Sequence, residues 1–177
     1  MPDEVTRLVR LLVNLGTLNY TLKGMAHEEA EDLTNPPPLG FFTDAAFVRL
    51  ADWFSKPKGK PAQIEQAIEA LDLPAKWLVP IDTILDSPIG SITWRQLNKD
   101  YRNEAISHKS FDAEIFNLIF VKRQVNPETW DSSFEKFMAG IIPPMVDLQS
   151  NVQAVFAARF PEFYAEFFRR GMFHIVH

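Results

Sequence analysis

Apolar residues recur at steps of three and four positions along this chain, and no other feature of the sequence constrains its fold as strongly. The first segment shows the pattern most clearly, in Val5, Leu8, Leu11, Leu12, Leu15, Leu18 and Leu22. Because an α-helix turns once in about 3.6 residues, this spacing places the apolar side chains on one helical face. The sequence therefore predicts a first helix over roughly 4–32.

The same spacing predicts further helices, and prolines mark where several of them start and stop. Helices are expected to begin at Thr43 or Asp44, near Pro61, at Ser91 or Thr93, at Asn126, and at Pro161 with an end near Gly171. The apolar run from Phe116 to Val121 fits either a helix or a strand, and its surroundings favour a helix. Pro143 and Pro144 are expected to break or kink the long helix that starts at Asn126, since proline removes a backbone donor.

The length of the chain and the lack of alternating segments complete the prediction of the fold. No stretch alternates between apolar and polar residues for long enough to form a sheet. A chain of 177 residues is long enough to bury one substantial core. The sequence thus predicts an all-α fold, an up-and-down helical bundle with proline-kinked connections, built as a single domain over residues 1–177.

Charge and cysteine content limit the classes of function. The chain has no cysteine, which excludes disulfides, thiolate metal sites and cysteine nucleophiles. Its formal net charge is -5, which argues against a general nucleic-acid coat protein. Residues 95–123 nevertheless hold six basic side chains and four acidic ones, so this part of the chain is locally positive.

The start of the sequence and its apolar runs indicate a cellular location. Residues 1–4 are acidic where a signal peptide would be basic, and no apolar run approaches the ~20 residues needed to cross a bilayer. Together with the lack of cysteine, these features predict a cytoplasmic protein without a membrane partner.

The segment 101–110 carries the chemistry best suited to cleaving a phosphodiester. Arg102 offers a permanently charged fork for phosphate oxygens, and His108 titrates near neutral pH and can act as base or acid. Asn103 could orient the phosphate or a 2′-hydroxyl. Glu104 lies one helical turn before His108 and could fix which imidazole nitrogen faces the substrate. These four residues are the predicted catalytic set.

Three basic residues near this set, Arg95, Lys99 and Lys109, are the predicted contacts to the phosphates of a substrate. The set itself contains no cluster with metal-ligand spacing and no cofactor-binding motif. The sequence therefore predicts a site that works with neither metal nor cofactor.

The spacing of Arg102 and His108 sets a geometric condition on such a site. The two residues are six positions apart, which on a regular helix places them about 120° apart around the axis. They can act on one ligand if the helix ends or distorts near Ile106 and Ser107, or if a second subunit completes the site.

Arg102 followed by Asn103, and His108 followed by Lys109, resemble the arginine-polar-x(3–5)-histidine signature of the HEPN superfamily (higher eukaryotes and prokaryotes nucleotide-binding domains). Five residues separate the arginine from the histidine, as in the abortive-infection type. The likeness covers 101–112 in residues and about 43–160 in helix order. It implies a helical bundle that forms a homodimer and joins two motifs into a metal-independent ribonuclease site. Such a protein would act on RNA as a toxin or in antiviral defence, with a protein antitoxin or regulator as a possible partner.

Two other classes of function remain open. Some HEPN members only bind, so the chain could be a non-enzymatic interaction module: an inactive HEPN-like subunit, an immunity protein or an antitoxin-like partner. The motif would then be a solvent-facing helix end whose arginine pairs with a carboxylate. The third class is a binder of lipids or small molecules that uses the aromatic residues of the C-terminal part, namely Phe160, Phe163, Tyr164, Phe167 and Phe168.

Overall fold

Helices make up most of the computed structural model, which describes residues 2–31, 41–57, 60–108 and 117–169. The α-helices are α1 (Asp3–Glu31), α2 (Phe41–Phe54), α3 (Gln63–Ala70), α4 (Val79–Leu85), α5 (Trp94–His108), α6 (Pro127–Arg159) and α7 (Pro161–Arg169). A 3-10 turn (Ala75–Leu78) runs into α4, and a π-helical segment (Asn117–Lys122) lies between α5 and α6. The predicted all-α fold is confirmed, and so is the preference for helix over strand in the run that ends at Val121.

Side-chain caps explain where two of these helices start. Thr93 accepts a hydrogen bond from the backbone N–H of Gln96 (3.2 Å), and Asn126 accepts one from the N–H of Glu128 (2.9 Å). Each satisfies a donor that has no partner inside the first turn of a helix. The predicted starts at Thr93 and Asn126 are therefore confirmed, whereas α2 begins at Phe41, a little before the predicted cap.

The two longest helices, α1 and α6, pack against each other and run antiparallel. Glu4 near the start of α1 pairs with Arg159 at the end of α6 (2.8 Å), whereas Asn19 farther along α1 reaches the carbonyl oxygen of Met145 (3.2 Å). Asn19 also donates to the side-chain oxygen of Gln149 (2.6 Å) in the buried contact. The seven apolar residues that predicted the first helix are all buried, which confirms that prediction.

Helix α6 continues through Pro143 and Pro144, so the break that the sequence allows is not observed, and the alternative of a kink stays a prediction. Each proline lacks the N–H that would bond to the carbonyl four residues earlier, which costs the helix two hydrogen bonds. Packing on both sides of the pair offsets this loss, because Ile141 and Met145 are fully buried. Prolines also occupy the connections between helices, as the sequence predicts.

One hydrophobic core extends from Val5 to Phe156 and includes residues of every helix from α1 to α6. Its centre is aromatic: the ring of Trp94 stacks on Phe137 with centroids 4.2 Å apart, and Tyr101 meets Phe47 edge-on at 5.2 Å. Trp94 and Tyr101 belong to the buried face of α5, as their spacing predicts. The core thus fixes how α5 is rotated, and with it the direction of its polar face.

A two-residue antiparallel strand pair, β1 (Pro88–Ile89) and β2 (Ile92–Thr93), precedes α5. Gly90 in its turn has a φ of 59°, and a Cβ there would lie 3.0 Å from the carbonyl oxygen of Arg123. Ser91 donates to that oxygen from its N–H (3.3 Å) and its hydroxyl (2.8 Å). The strands are too short to give an alternating sequence pattern, which is why the sequence does not predict them.

Candidate active site on helix α5

Helix α5 carries six of the seven predicted site residues, and the described part of the chain shows four of their side chains. These four are Arg95, Lys99, Arg102 and Asn103. The backbone of Glu104 and His108 is helical, but their side chains lie outside the described residues, and Lys109 lies outside them altogether. The structure therefore shows the arginine half of the predicted catalytic set.

The guanidinium of Arg102 lies at the surface and is held by two side chains. One terminal nitrogen donates to Asp52 on α2 (2.9 Å), and the other donates to the side-chain oxygen of Asn103 (3.2 Å). The side chain of Arg102 is 27% exposed and that of Asp52 is 46% exposed. Solvent reaches this ion pair, so it stabilises the fold by no more than about 0.5 kcal/mol.

Asn103 is exposed and lies next to the arginine fork. Because its oxygen accepts the bond from Arg102, its amide group offers two N–H donors beside the guanidinium. A phosphate bound at this point could meet donors from both side chains. The arrangement agrees with the predicted role of Asn103 in orienting a phosphate or a hydroxyl, which stays a prediction.

Arg95 lies two turns before Arg102 on the same side of α5, and its guanidinium is bound by the protein. It donates to Asp86 (2.6 Å), to Asp82 (2.5 Å) and to the carbonyl oxygen of Phe54, and its side chain is only 13% exposed. Burial lowers the pKa of Arg95, but the hydrogen bonds with Asp86 and Asp82 outweigh it and hold that pKa above its usual value. Arg95 thus fastens α2 and α4 to the start of α5, and its contact with substrate stays a prediction.

Lys99 completes a basic stripe on α5 formed by Arg95, Lys99 and Arg102, at steps of four and three residues. Residues at these steps lie on one side of a helix, so the three cations share a face. Lys99 is half-buried and lies between Arg95, which the protein binds, and Arg102, which is more accessible to solvent. Its predicted contact with a phosphate would extend the site along the helix, and this also stays a prediction.

The other side of α5 contacts Arg123, which directly follows the π-helical segment. Asp100 pairs with Arg123 (2.6 Å) and accepts a hydrogen bond from Gln96 (2.8 Å). The Asp100 side chain is 12% exposed, so this pair is better shielded than Asp52 and Arg102. It fixes the middle of α5 just before the predicted catalytic set begins.

Asp52 is the residue of this site that sequence reasoning missed. It lies fifty positions before Arg102, on the outer side of a helix whose sequence shows only an apolar face. No local spacing connects two residues so far apart. Only the packing of α2 on α5, with Phe47 against Tyr101, brings their charges together.

Metal ligands, membrane-crossing helices and likeness to known proteins each bear on what the site could bind. Within residues 2–31, 41–57, 60–108 and 117–169, no three His, Asp or Glu side chains are grouped so that they could hold a metal ion. None of the helices in these ranges combines the length and the apolar character that crossing a membrane requires. Comparison with models of protein families, with curated proteins and with solved structures gives no match to this chain.

Proposed function

We propose that this protein is an HEPN-like, metal-independent RNA endonuclease that acts as a homodimer. The observation that supports the proposal most is the surface position of Arg102, whose fork lies beside Asn103 on the helix that also carries His108. An arginine and an asparagine arranged in this way can bind the oxygens of one phosphate. The resemblance of this segment to the HEPN signature supplies the expected reaction.

The chemistry follows from the substrate, because RNA carries its own nucleophile. A base removes the proton of the 2′-hydroxyl, the 2′-oxygen forms a bond to phosphorus, and the bond from phosphorus to the 5′-oxygen breaks. An acid then protonates the departing 5′-oxygen, which leaves a 2′,3′-cyclic phosphate and a 5′-hydroxyl. Arg102 would stabilise the charge on the phosphorane, and two copies of His108 would serve as base and acid.

The course of α5 supports a site completed by a second copy of the chain. The backbone is α-helical from Trp94 through His108, so positions 102 and 108 belong to one continuous helix. On a regular helix positions 102 and 108 lie about 120° apart, and one copy cannot easily direct both at one phosphate. A two-fold axis near the end of α5 would bring the motifs of two copies together.

Alanine substitution of the two central residues tests the activity. Arg102→Ala and His108→Ala should each abolish cleavage of RNA, whereas Arg7→Ala should leave it unchanged. Arg7 is the matched control because it is a surface arginine with one aspartate partner, Asp3 at 2.6 Å. Cleavage should persist in EDTA and yield a cyclic phosphate, detected by mass spectrometry. A purified protein that leaves diverse RNAs intact would exclude the proposal.

Mixed dimers test whether two copies share one site. When equal amounts of wild-type and His108→Ala chains assemble at random, about a quarter of the dimers contain two intact histidines. A shared site therefore predicts about a quarter of the activity that the same total amount of protein would have if every chain were wild type. Independent sites predict about half. Wild-type chains mixed with Arg7→Ala chains should keep full activity and control for the exchange procedure.

A second function, an interaction module, is favoured by the surface of α7. Phe163 and Phe168 are 38% and 50% exposed, whereas Tyr164 and Phe167 pack toward Phe156 in the core. Exposed phenylalanines on a short helix suit contact with another protein. Induced expression separates the two functions: a ribonuclease should slow growth and His108→Ala should relieve it, whereas a module without activity should give the same growth with either chain.

A further inference from the structure

We infer that Asp52 is a positioning residue of the proposed site, which holds the guanidinium of Arg102 ready for a phosphate while its negative charge weakens RNA binding. The inference rests on the proposed function, since it assigns Asp52 a role at the same site. It goes beyond the Arg-Asn-His motif, because Asp52 comes from α2 and no motif includes it.

The contacts of Arg102 support the positioning role. An arginine side chain has several rotatable bonds, and an unrestrained fork must be ordered each time it binds a phosphate. Here the two terminal nitrogens are held in different ways, one by Asp52 and the other by Asn103, so the plane of the guanidinium is fixed. A donor held in place before the reaction does not need to be reoriented during it.

The charge of Asp52 has the opposite effect on affinity. Asp52 is nearly half exposed and bonds directly to the fork, so an incoming phosphate would meet a carboxylate close by. At a separation of ~6 Å in water, one unit charge changes the binding of another by about threefold. The carboxylate thus supports the rate and reduces the affinity, and these two effects can be measured separately.

Two substitutions separate the hydrogen bond from the charge. Asp52→Asn keeps a side-chain oxygen that can accept from Arg102 but removes the charge, and Asp52→Ala removes both. Both variants should bind RNA about threefold more tightly at low salt. Asp52→Asn should keep kcat near the wild-type value, whereas Asp52→Ala should lose about tenfold in kcat, because the fork is no longer held.

Binding is measured with a 2′-O-methyl RNA oligonucleotide, which lacks the nucleophile and cannot be cleaved. The tighter binding of the Asp52 variants should disappear when Arg102→Ala is added, because the two side chains act at one point. Asp3→Ala, which removes the partner of Arg7 on α1, is the matched control and should change neither kcat nor affinity. A merely structural Asp52 would lower activity and thermal stability together without tightening the binding.

The possible outcomes separate this inference from the proposed function. Wild-type cleavage combined with an Asp52→Ala variant of unchanged kcat and unchanged affinity overturns the role of Asp52 alone. A wild-type protein that cleaves no RNA overturns the ribonuclease, and with it the effect on rate. The effect on affinity is then decided by the uncleavable RNA: tighter binding by Asp52→Asn that depends on Arg102 supports it, and equal binding by all variants refutes it.

Discussion

The two halves of α5 present the same residue type in opposite ways. In the first half Arg95 is 13% exposed and bound to two carboxylates and a backbone carbonyl, while in the second half Arg102 is 27% exposed and bound to one carboxylate and an amide oxygen. Both belong to the basic stripe, and both are arginines with aspartate partners. Among the described residues, the two guanidinium groups differ in the number of protein acceptors around them and in the access of solvent to these contacts.

This difference indicates which of the two arginines could bind a ligand. The carbonyl of Phe54 and the carboxylates of Asp82 and Asp86 surround Arg95, so a phosphate would have to displace several bonds in a shielded place. At Arg102 the described residues supply one acceptor for each terminal nitrogen, Asp52 and Asn103, and solvent already reaches the pair with Asp52. Arg95 therefore anchors the first half of α5, whereas Arg102 is the arginine that solvent reaches more easily.

Substitution of Arg95 should have the largest effect on stability. Arg95→Ala would leave Asp82 and Asp86 close together without their shared partner, and it would strip the carbonyl of Phe54 of a donor. Hydrogen bonds to charged groups contribute about 1.5–3 kcal/mol each when buried. Since Asp86 is half exposed, we expect a loss of about 2 kcal/mol in the free energy of unfolding, measured by urea denaturation. A loss below ~0.5 kcal/mol would contradict the anchoring role.

Substitution of a buried residue in the middle of α5 should raise the free energy of unfolding, whereas Arg95→Ala should lower it. Asn98 is 1% exposed, and its two side-chain polar atoms have no hydrogen-bond partner among the described residues. Burying an amide without partners is costly, so Asn98→Leu should stabilise the protein by about 1 kcal/mol. Thermal unfolding measures the change, with Leu97→Asn as the reverse control. Destabilisation by Asn98→Leu would mean that the amide is paired, for example with a buried water.

The stability of the protein should also depend on pH through Glu65, which lies on α3. Burial raises the pKa of Glu65, but hydrogen bonds from Lys56 and from the N–H of Ala62 outweigh it and hold that pKa below its usual 4.5. A lowered pKa gives stability that is present above the ordinary value and lost as the pH falls through the lowered one. Glu65→Gln should therefore cost about 0.5 kcal/mol at pH 7.

That cost should vanish in acid, which gives the measurement its control. Denaturation curves at pH 7 and at pH 3 should show the wild-type protein and Glu65→Gln converging as the pH falls. Glu69→Gln on the exposed face of the same helix is the matched variant and should cost little at pH 7. A difference that persists unchanged at pH 3 would assign the effect of Glu65→Gln to packing.

The smallest effect on stability is expected at Arg102. Its carboxylate partner among the described residues, Asp52, is half exposed, so Arg102→Ala should change the free energy of unfolding by no more than about 0.5 kcal/mol. The same substitution should abolish RNA cleavage, and this contrast sharpens the comparison with Arg95. If Arg102→Ala unfolds the protein instead, the second half of α5 is structural as well.

The sequence predicts most of this fold because the helices follow from local spacing. The apolar faces of α1 and α6, and the caps Thr93 and Asn126, depend on neighbours within a few positions. The continuity of α6 through Pro143 could not be predicted in this way, because it depends on packing against other helices.

The candidate site is predicted only in part for the same reason. The positions of Arg102 and Asn103 on one helix follow from the sequence, whereas the choice between an anchoring and an accessible arginine does not. That choice depends on Asp52, Asp82 and Asp86, which belong to other helices. Sequence spacing places Arg95 and Arg102 on the same face of α5 and does not distinguish between them.

The bonds made by Arg123 have a mechanical consequence for the chain around the motif. Its carbonyl holds Ser91 just before α5 and its side chain holds Asp100 within α5, so the polypeptide leaves this junction and returns to it. A peptide bond cut between His108 and Asn117 would leave two fragments that stay joined at the junction. Such a nicked protein should migrate as one particle on a native gel and as two bands after denaturation.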